Sequence, residues 1–167
     1  MEFHGNCVEI TDTPEKFTGM CEQVAPVLLN LLSALAEAEE KAHEDFAAME
    51  AEKPALGLQP HEAHPKFVEF WNGYRETLAP LLENACSEKL LKRSYGGHCG
   101  SPAKFAYTNE KCSISFTMKT AKKAVVETEN GTLDMCHRFT MKQNGDRWIW
   151  DDLQYSFDGK SWSNDSI

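Results

Sequence analysis

The sequence predicts an α+β fold in which N-terminal helices pack on one face of a curved antiparallel sheet. Two observations support this prediction. Residues 26–92 carry apolar side chains at three- and four-residue steps, the spacing of helices, whereas residues 104–155 contain runs of alternating apolar and polar residues. Helices therefore precede strands. The chain has 167 residues and no low-complexity linker, so we expect a single domain over 1–167.

The first long helix is predicted to begin at Pro26, a residue that suits the first turn of a helix. Residues 1–19 show no regular pattern and are expected to form an irregular N-terminal segment. After Pro26, apolar residues recur at helical steps to Met49. Three prolines and a glycine between Lys53 and Pro65 then predict a loop.

Two further helices are predicted between Pro65 and Lys92, and they are expected to meet near residues 73–77. Aromatic and leucine side chains from Phe67 to Leu82 follow helical spacing. Pro80 is expected near the start of the last helix, which would run to about Leu91 or Lys92. A glycine-rich loop over residues 95–102 follows.

Five strands are predicted after this loop, at residues 104–108, 112–119, 123–129, 133–142 and 147–155. Asn130-Gly131 and Asn144-Gly145 supply the positive φ angles of tight hairpin loops. The run 133–142 alternates strictly, which predicts one buried face formed by Leu133, Met135, His137, Phe139 and Met141. Residues 156–167 are expected to form a C-terminal tail.

The net charge of −9 is concentrated at the N-terminal end of the chain. Residues 1–53 carry 12 acidic and 3 basic side chains, whereas the remaining residues carry equal numbers. A phosphate-binding surface needs clustered lysine and arginine, so direct nucleic-acid binding is disfavoured. The ordinary explanation of an acidic run is a solvated helix face, and the alternative is a surface for a basic partner.

Composition and cysteine spacing predict a cytoplasmic protein without a cofactor. No stretch has the pattern of a signal peptide or, on our interpretation, the length of a membrane span. The six cysteines form no CxxC pair, which favours free thiols. His4 with Cys7, or His98 with Cys99, could contribute to a zinc site, but neither pair has a spaced partner pair, so we expect no metal. His61 and His64, bracketed by Pro60 and Pro65, are expected to be exposed histidines in a loop.

The order of elements resembles the nuclear transport factor 2-like cone fold. Three helices and a Gly-Pro loop precede strands with the sequences KAVVET (123–128), HRFTMK (137–142) and DRWIWD (146–151). The ending YSFDGKSW (155–162) resembles bacterial immunity proteins of that fold, which are encoded beside polymorphic toxins. The resemblance covers residues 25–167, with the connection 53–64 as a departure that an insertion would explain.

This resemblance implies a protein that binds one cognate toxin domain and blocks it without chemistry of its own. Many such toxins carry basic clefts, so an acidic helix face would speed encounter. The candidate partner-binding residues are Glu37, Glu40, Glu44 and Asp45, with Tyr155 and Trp162 as aromatic anchors. The simpler role of the two aromatic residues is to pin the tail to the sheet. We expect no membrane partner and leave the oligomeric state open, a homodimer included.

Two alternatives use a pocket inside the cone. The first is an isomerase- or dehydratase-like enzyme in which His137 acts as the base and Asp152 orients it. A single histidine on an apolar strand face is more often a core residue, and no second inward-facing acid or tyrosine is spaced to form a convincing dyad, so this hypothesis ranks below the inhibitor. The second alternative is a ligand-binding adaptor without catalysis.

Overall fold

One long helix and a sheet dominate the structure. The computed structural model describes residues 1–3, 5–94, 96–106, 112–130 and 135–167. In chain order the elements are β1 (Glu2–Phe3), β2 (Asn6–Ile10), a 3-10 helix (Glu15–Met20), α1 (Cys21–Ala51), a second 3-10 helix (Lys53–Leu56), α2 (Phe67–Leu82), α3 (Glu88–Leu91), β3 (Cys112–Thr120), β4 (Lys123–Asn130), β5 (Met135–Asn144), β6 (Arg147–Ser156) and β7 (Ser163–Asn164).

The sheet is mixed and open, and its strand order follows the chain from β1 to β7. Strands β3 to β7 form an antiparallel meander, while β2 pairs with β3 in parallel through Val8 and Ile114. The predicted α+β class is therefore confirmed. The expectation of a purely antiparallel sheet is wrong, because a strand from the N-terminal segment joins its edge.

The N-terminal segment is also more ordered than predicted. Residues 1–19 contain β1, β2 and most of the first 3-10 helix. The side chains of Asn6 and Val8 are buried, whereas Cys7 and Glu9, which follow them in alternation, are exposed. The alternation was too short to be recognised as a strand in the sequence, and its partner in the sheet lies more than 100 residues further along the chain.

The helices differ from the prediction at their ends. Helix α1 begins at Cys21, so Pro26 lies inside it and not in its first turn. Helix α2 runs without interruption through Gly73 and contains Pro80 near its C-terminal end. Ser87 then caps the separate helix α3, its hydroxyl accepting a hydrogen bond from the backbone N–H of Leu90 at 3.3 Å.

The core forms between α1 and one face of the sheet. Leu28, Leu29 and Leu32 of α1 are at most 1% exposed. The alternation predicted for β5 is confirmed at its centre, where His137, Phe139 and Met141 are buried. Leu133 lies outside the described residues. Each large apolar side chain removed from water in this way stabilises the fold by roughly 1.5–3 kcal/mol.

The turns and the first predicted strand need correction. The β5–β6 hairpin has Gly145 and Asp146 in its two-residue loop, because Asn144 already pairs with Arg147. Only Gly145 takes a positive φ there, of 60°. Gly131 lies outside the described residues. Residues 104–106 of the predicted strand 104–108 form a turn, and residues 107 and 108 lie outside the described part of the chain.

The helical region Glu15–Leu56 is long enough, and in part apolar enough, to cross a membrane by length and composition alone. From the sequence we expected no stretch long enough to span a membrane, and we did not anticipate the length and apolar composition of α1. Core helices of soluble proteins have the same composition, and much of the apolar side of α1 is covered by the sheet. Composition therefore does not decide where this helix resides.

Candidate functional site

The predicted acidic residues lie on the solvent-facing side of α1. Glu37, Glu40 and Glu44 are exposed and follow three- and four-residue steps, so they form one ridge along the helix. We call these three residues the acidic ridge. None of them forms an ion pair with any of the described residues. Asp45 differs, because its carboxylate lies 2.7 Å from the ammonium of Lys41.

A groove with a volume of about 610 Å³ runs between α1 and α2, beside the acidic ridge. Its floor is apolar and its rim carries charged side chains of both helices. Sequence reasoning did not identify this groove, although small residues on both helices were a visible signal. The lining residues are Ala38, Lys41, Ala42, Asp45, Ala48, Met49, Glu52, Lys66, Glu69, Phe70, Gly73, Tyr74 and Thr77.

The two candidate aromatic anchors are half-buried against the sheet. Arg138 places its guanidinium carbon 3.9 Å from the ring centroid of Trp162, and its Nε donates to Glu127 at 2.5 Å. Tyr155 packs edge-to-face with Phe157 at 5.5 Å between ring centroids. Both therefore have a structural role in holding the tail. Phe157, which sequence reasoning did not select, is 68% exposed.

The structure does not bring the two candidate catalytic residues together. Phe139 pairs with Leu153 and Thr140 pairs with Asp152, so Asp152 lies on the face opposite His137. The prediction placed Asp152 on the same face as Trp150. The register between β5 and β6 shifts at Thr140, which marks a bulge, and the bulge changes the alternation of β6 after Trp150. Asp152 instead forms an ion pair with Arg93.

His137 is buried in the core and next to a different acid. It is 2% exposed, its Nε2 lies 3.7 Å from Oδ2 of Asp165, and its ring packs on Phe105. Burial, helped by the charge of Lys104 and opposed by that of Asp165, lowers the pKa of His137 to about 4. His137 is therefore neutral near pH 7 and enclosed by other side chains.

A second cavity, of about 310 Å³, lies between α1, α2, the loop 96–105 and the tail. Its walls include Leu35, Tyr74 and Phe105, and its main buried polar group is the carboxylate of Glu39, which is 6% exposed. Glu39 accepts hydrogen bonds from the backbone N–H groups of Gly100 and Lys104, both at 2.9 Å. His137 does not line this cavity, so the cavity and the buried imidazole do not form a common site.

Sequence reasoning missed Glu39, although its position carried a signal. Glu39 follows Leu35 by four residues and so lies on the apolar stripe of α1, where an acid needs a partner. Its carboxylate and the ring of Tyr74 are close enough that Glu39 adds to the effect of burial in raising the pKa of Tyr74. The Nε2 of His98 lies 3.7 Å from the carboxylate.

No group of three or more metal-ligating side chains is placed to hold an ion within the described ranges. His4 lies outside those ranges, and His98 is directed to Glu39. Cys99 is half-buried, and burial followed by the charge of Glu39 raises the pKa of its thiol. This environment favours the protonated thiol, which is the weaker metal ligand and nucleophile.

We compared the chain with known protein families, curated proteins and solved structures. No protein-family model matches the sequence, and no curated protein or solved structure matches it at a significant level.

Proposed function

We propose that this chain is an immunity protein that binds a cognate bacterial toxin domain with a basic cleft and neutralises it in the cytoplasm. The observation that carries the proposal is the acidic ridge. Its three carboxylates are exposed, and none of them lies within ion-pair distance of a basic side chain in the described part of the chain. Uncompensated charge on one face attracts an oppositely charged protein, raises the association rate and disfavours wrong partners.

We also propose that the α+β fold is, more specifically, a nuclear transport factor 2-like cone. In support of this, α1 and α2 precede the five-stranded antiparallel meander β3 to β7, and α1 shares a hydrophobic core with one face of it. The parallel pairing of β2 with β3 is an addition to that plan. Fold alone does not assign an activity, so the proposed function rests on the surface of α1.

Binding without catalysis is the simplest function for this arrangement. His137 is 2% exposed, lies outside the cavity lining, and is separated from Asp152 by the sheet. A general base must come within hydrogen-bond reach of the proton it removes. The second candidate function is a ligand-binding adaptor, which the 310 Å³ cavity around Glu39 favours.

Growth rescue tests the proposal. The toxin domain encoded beside this chain would be expressed alone, with the wild-type chain, and with the variant E40K/E44K. We expect the wild type to restore growth and E40K/E44K to lose protection, because the variant makes the ridge repel a basic cleft. The control E76K/E83K changes the total charge equally at exposed positions of α2 and its C-terminal end, and should keep protection.

Circular dichroism and thermal melting would establish that both variants fold. Equal protection by the two variants would remove the acidic ridge from the binding surface. Failure of the folded wild-type protein to protect, or the lack of a toxin beside it, would contradict the proposed function itself.

A further inference from the structure

The groove between α1 and α2 has the form of a helix-binding surface. Phe46 of α1 packs against Phe67, Phe70 and Trp71 at the start of α2, while Tyr74 lies near the earlier residue Glu39, so the two helices are antiparallel. The lining of α1 extends from Ala38 to Glu52, which is about 20 Å of helix. The groove is thus about four helical turns long.

The floor of this groove is apolar and already part of the folded core. Ala42, Met49 and Tyr74 are 6%, 7% and 8% exposed. Phe70 adds an aromatic surface from α2, and Ala38 and Ala48 leave space above the floor. A third element with an apolar seam would complete the packing of these two helices.

Gly73 lies on the wall of the groove in the middle of α2, and the fold itself gives no reason for a glycine there. A Cβ built at this position meets no atom within 4 Å, and its φ is not positive. Glycine inside a helix is less stable than alanine. A residue without a side chain at this point instead allows another backbone to approach closely.

The charges on the rim decide which partner fits. The α1 side of the rim carries Lys41, Asp45 and Glu52, and the α2 side carries Lys66 and Glu69. Lys41 is paired with Asp45, and Glu52 lies 3.4 Å from Nε2 of His64, which is 3% exposed and so is not the exposed histidine expected from the sequence. The acidic ridge runs along the neighbouring side of α1 and adds three carboxylates that form no ion pair with the described residues. The surroundings of the groove are therefore negative.

We propose that this groove binds an amphipathic helix of the partner, with its apolar seam on Met49, Phe70 and Gly73 and its lysine or arginine side chains facing Glu52, Glu69 and the acidic ridge. The identification of that helix as part of a toxin rests on the proposed function. The test of helix binding in the groove does not depend on that identification.

The probe is a fluorescein-labelled helical peptide of leucine and lysine with a leucine seam, about 18 residues long so that it spans the groove. Its control replaces every lysine with glutamate. Fluorescence anisotropy should detect binding of the lysine peptide to the wild-type protein and at least tenfold weaker binding of the glutamate peptide. Equal binding of both peptides, or of neither, would overturn the proposal.

Substitutions at Gly73 locate the binding surface. Gly73→Leu fills the groove and should weaken binding of the lysine peptide at least tenfold. Asn30→Leu adds the same side chain at an exposed position of α1 outside the groove and should leave binding unchanged. Gly73→Ala should raise the melting temperature by about 2–4 °C, because alanine stabilises the helix and meets open space.

The outcomes separate this proposal from the proposed function. If Gly73→Leu binds the peptide as well as the wild type does, the groove is not the binding surface, whether or not the chain neutralises a toxin. If the peptide behaves as expected but growth rescue fails, the groove stands and the toxin is the wrong partner. If neither peptide binds and Gly73→Leu converts a wild-type dimer into a monomer, the groove binds a second copy, which also overturns the proposal.

Discussion

At the residue scale, His137 links the burial pattern of one strand to the pH dependence of the whole chain. It lies on the core face of β5 between Phe105 and Phe139, at 2% exposure. Burial is the main reason that its pKa falls from the usual 6.5 to about 4, because a charged imidazole loses its hydration in the core. Folding therefore favours the neutral ring.

The direction in which pH changes the stability follows from the difference between the pKa of His137 in the unfolded and folded states. The unfolded chain holds an additional proton on His137 between about pH 6.5 and pH 4, so the stability contributed by the neutral ring is complete above that window and is lost as the pH falls through it. Between about pH 7.5 and pH 5 the loss is about 2 kcal/mol.

Replacing His137 should remove this loss. Between about pH 7.5 and pH 5, the free energy of unfolding of the wild type should fall by about 2 kcal/mol more than that of His137→Leu. Urea unfolding at the two pH values measures the difference, and His137→Gln provides a polar replacement if the leucine variant is poorly folded. Parallel pH dependences in wild type and variants would show that His137 keeps an ordinary pKa in the folded state.

Strands β5 and β6 differ in how closely they follow the alternation of polar and apolar residues in the sequence. The burial of His137, Phe139 and Met141 follows from strict alternation, which needs only the geometry of one strand. Asp152 was placed on the wrong face, because a bulge in β6 changes the alternation and leaves no mark in the order of polar and apolar residues.

At the element scale, Glu39 attaches the loop 96–106 to α1. Its two carboxylate oxygens accept the N–H groups of Gly100 and Lys104 across 61 and 65 residues of sequence. A Cβ at Gly100 would approach His98 to 3.2 Å and Glu39 to 3.5 Å, so the loop lies close against the helix. One acid on α1 therefore determines the position of a long connection and of one wall of the smaller cavity.

Glu39→Gln should loosen this connection. The neutral amide keeps one oxygen acceptor but presents an NH₂ group to the other backbone N–H, leaving that donor without an acceptor. We expect a loss of about 1–3 kcal/mol in the free energy of unfolding, together with faster amide exchange at Gly100 and Lys104. Hydrogen exchange followed by mass spectrometry or NMR measures the local effect.

The exposed carboxylate of Glu37, only two residues away, provides the control. Glu37→Gln should change neither stability nor exchange in the loop, because Glu37 points to solvent. A Glu39→Gln variant as stable and as protected as the wild type would mean that the loop is positioned by its other contacts.

At the scale of the whole molecule, charge is divided between two regions. The acidic ridge lies on α1, whereas Lys119, Lys122 and Lys123 are exposed at the β3–β4 turn and have no ion pair with any residue described in the structure. Such a separation orients an approaching charged protein as well as attracting it.

If the proposed partner is basic, its association should depend strongly on salt. We expect the association rate constant to fall about tenfold or more between about 20 mM and 300 mM salt, because the Debye length shortens over this range. The variant E40K/E44K should associate more slowly at low salt and show a weaker dependence, whereas E76K/E83K should stay closer to the wild type. Stopped-flow or surface-plasmon-resonance kinetics measure these rates, and a slope unchanged in E40K/E44K would exclude steering by the ridge.

The existence of the helices and of the strands β3 to β6 follows from local patterns. Apolar periodicity within one segment is enough to form an amphipathic helix or a strand with one buried face, and Gly145 is enough to close a tight hairpin. The exposure of Glu37, Glu40 and Glu44 follows in the same way, since they lie off the apolar stripe of α1.

Only the tertiary structure determined the remaining features of the fold and of the candidate sites. These features depend on contacts between residues that are far apart in the chain. The parallel contact of Val8 with Ile114, the loop held by Glu39, and Asp165 beside His137 join segments that no short window contains. The groove between α1 and α2 has the same origin: each helix carries one wall, and the space appears only when the two pack. Local physics shapes the elements, whereas long-range packing determines which side chains meet.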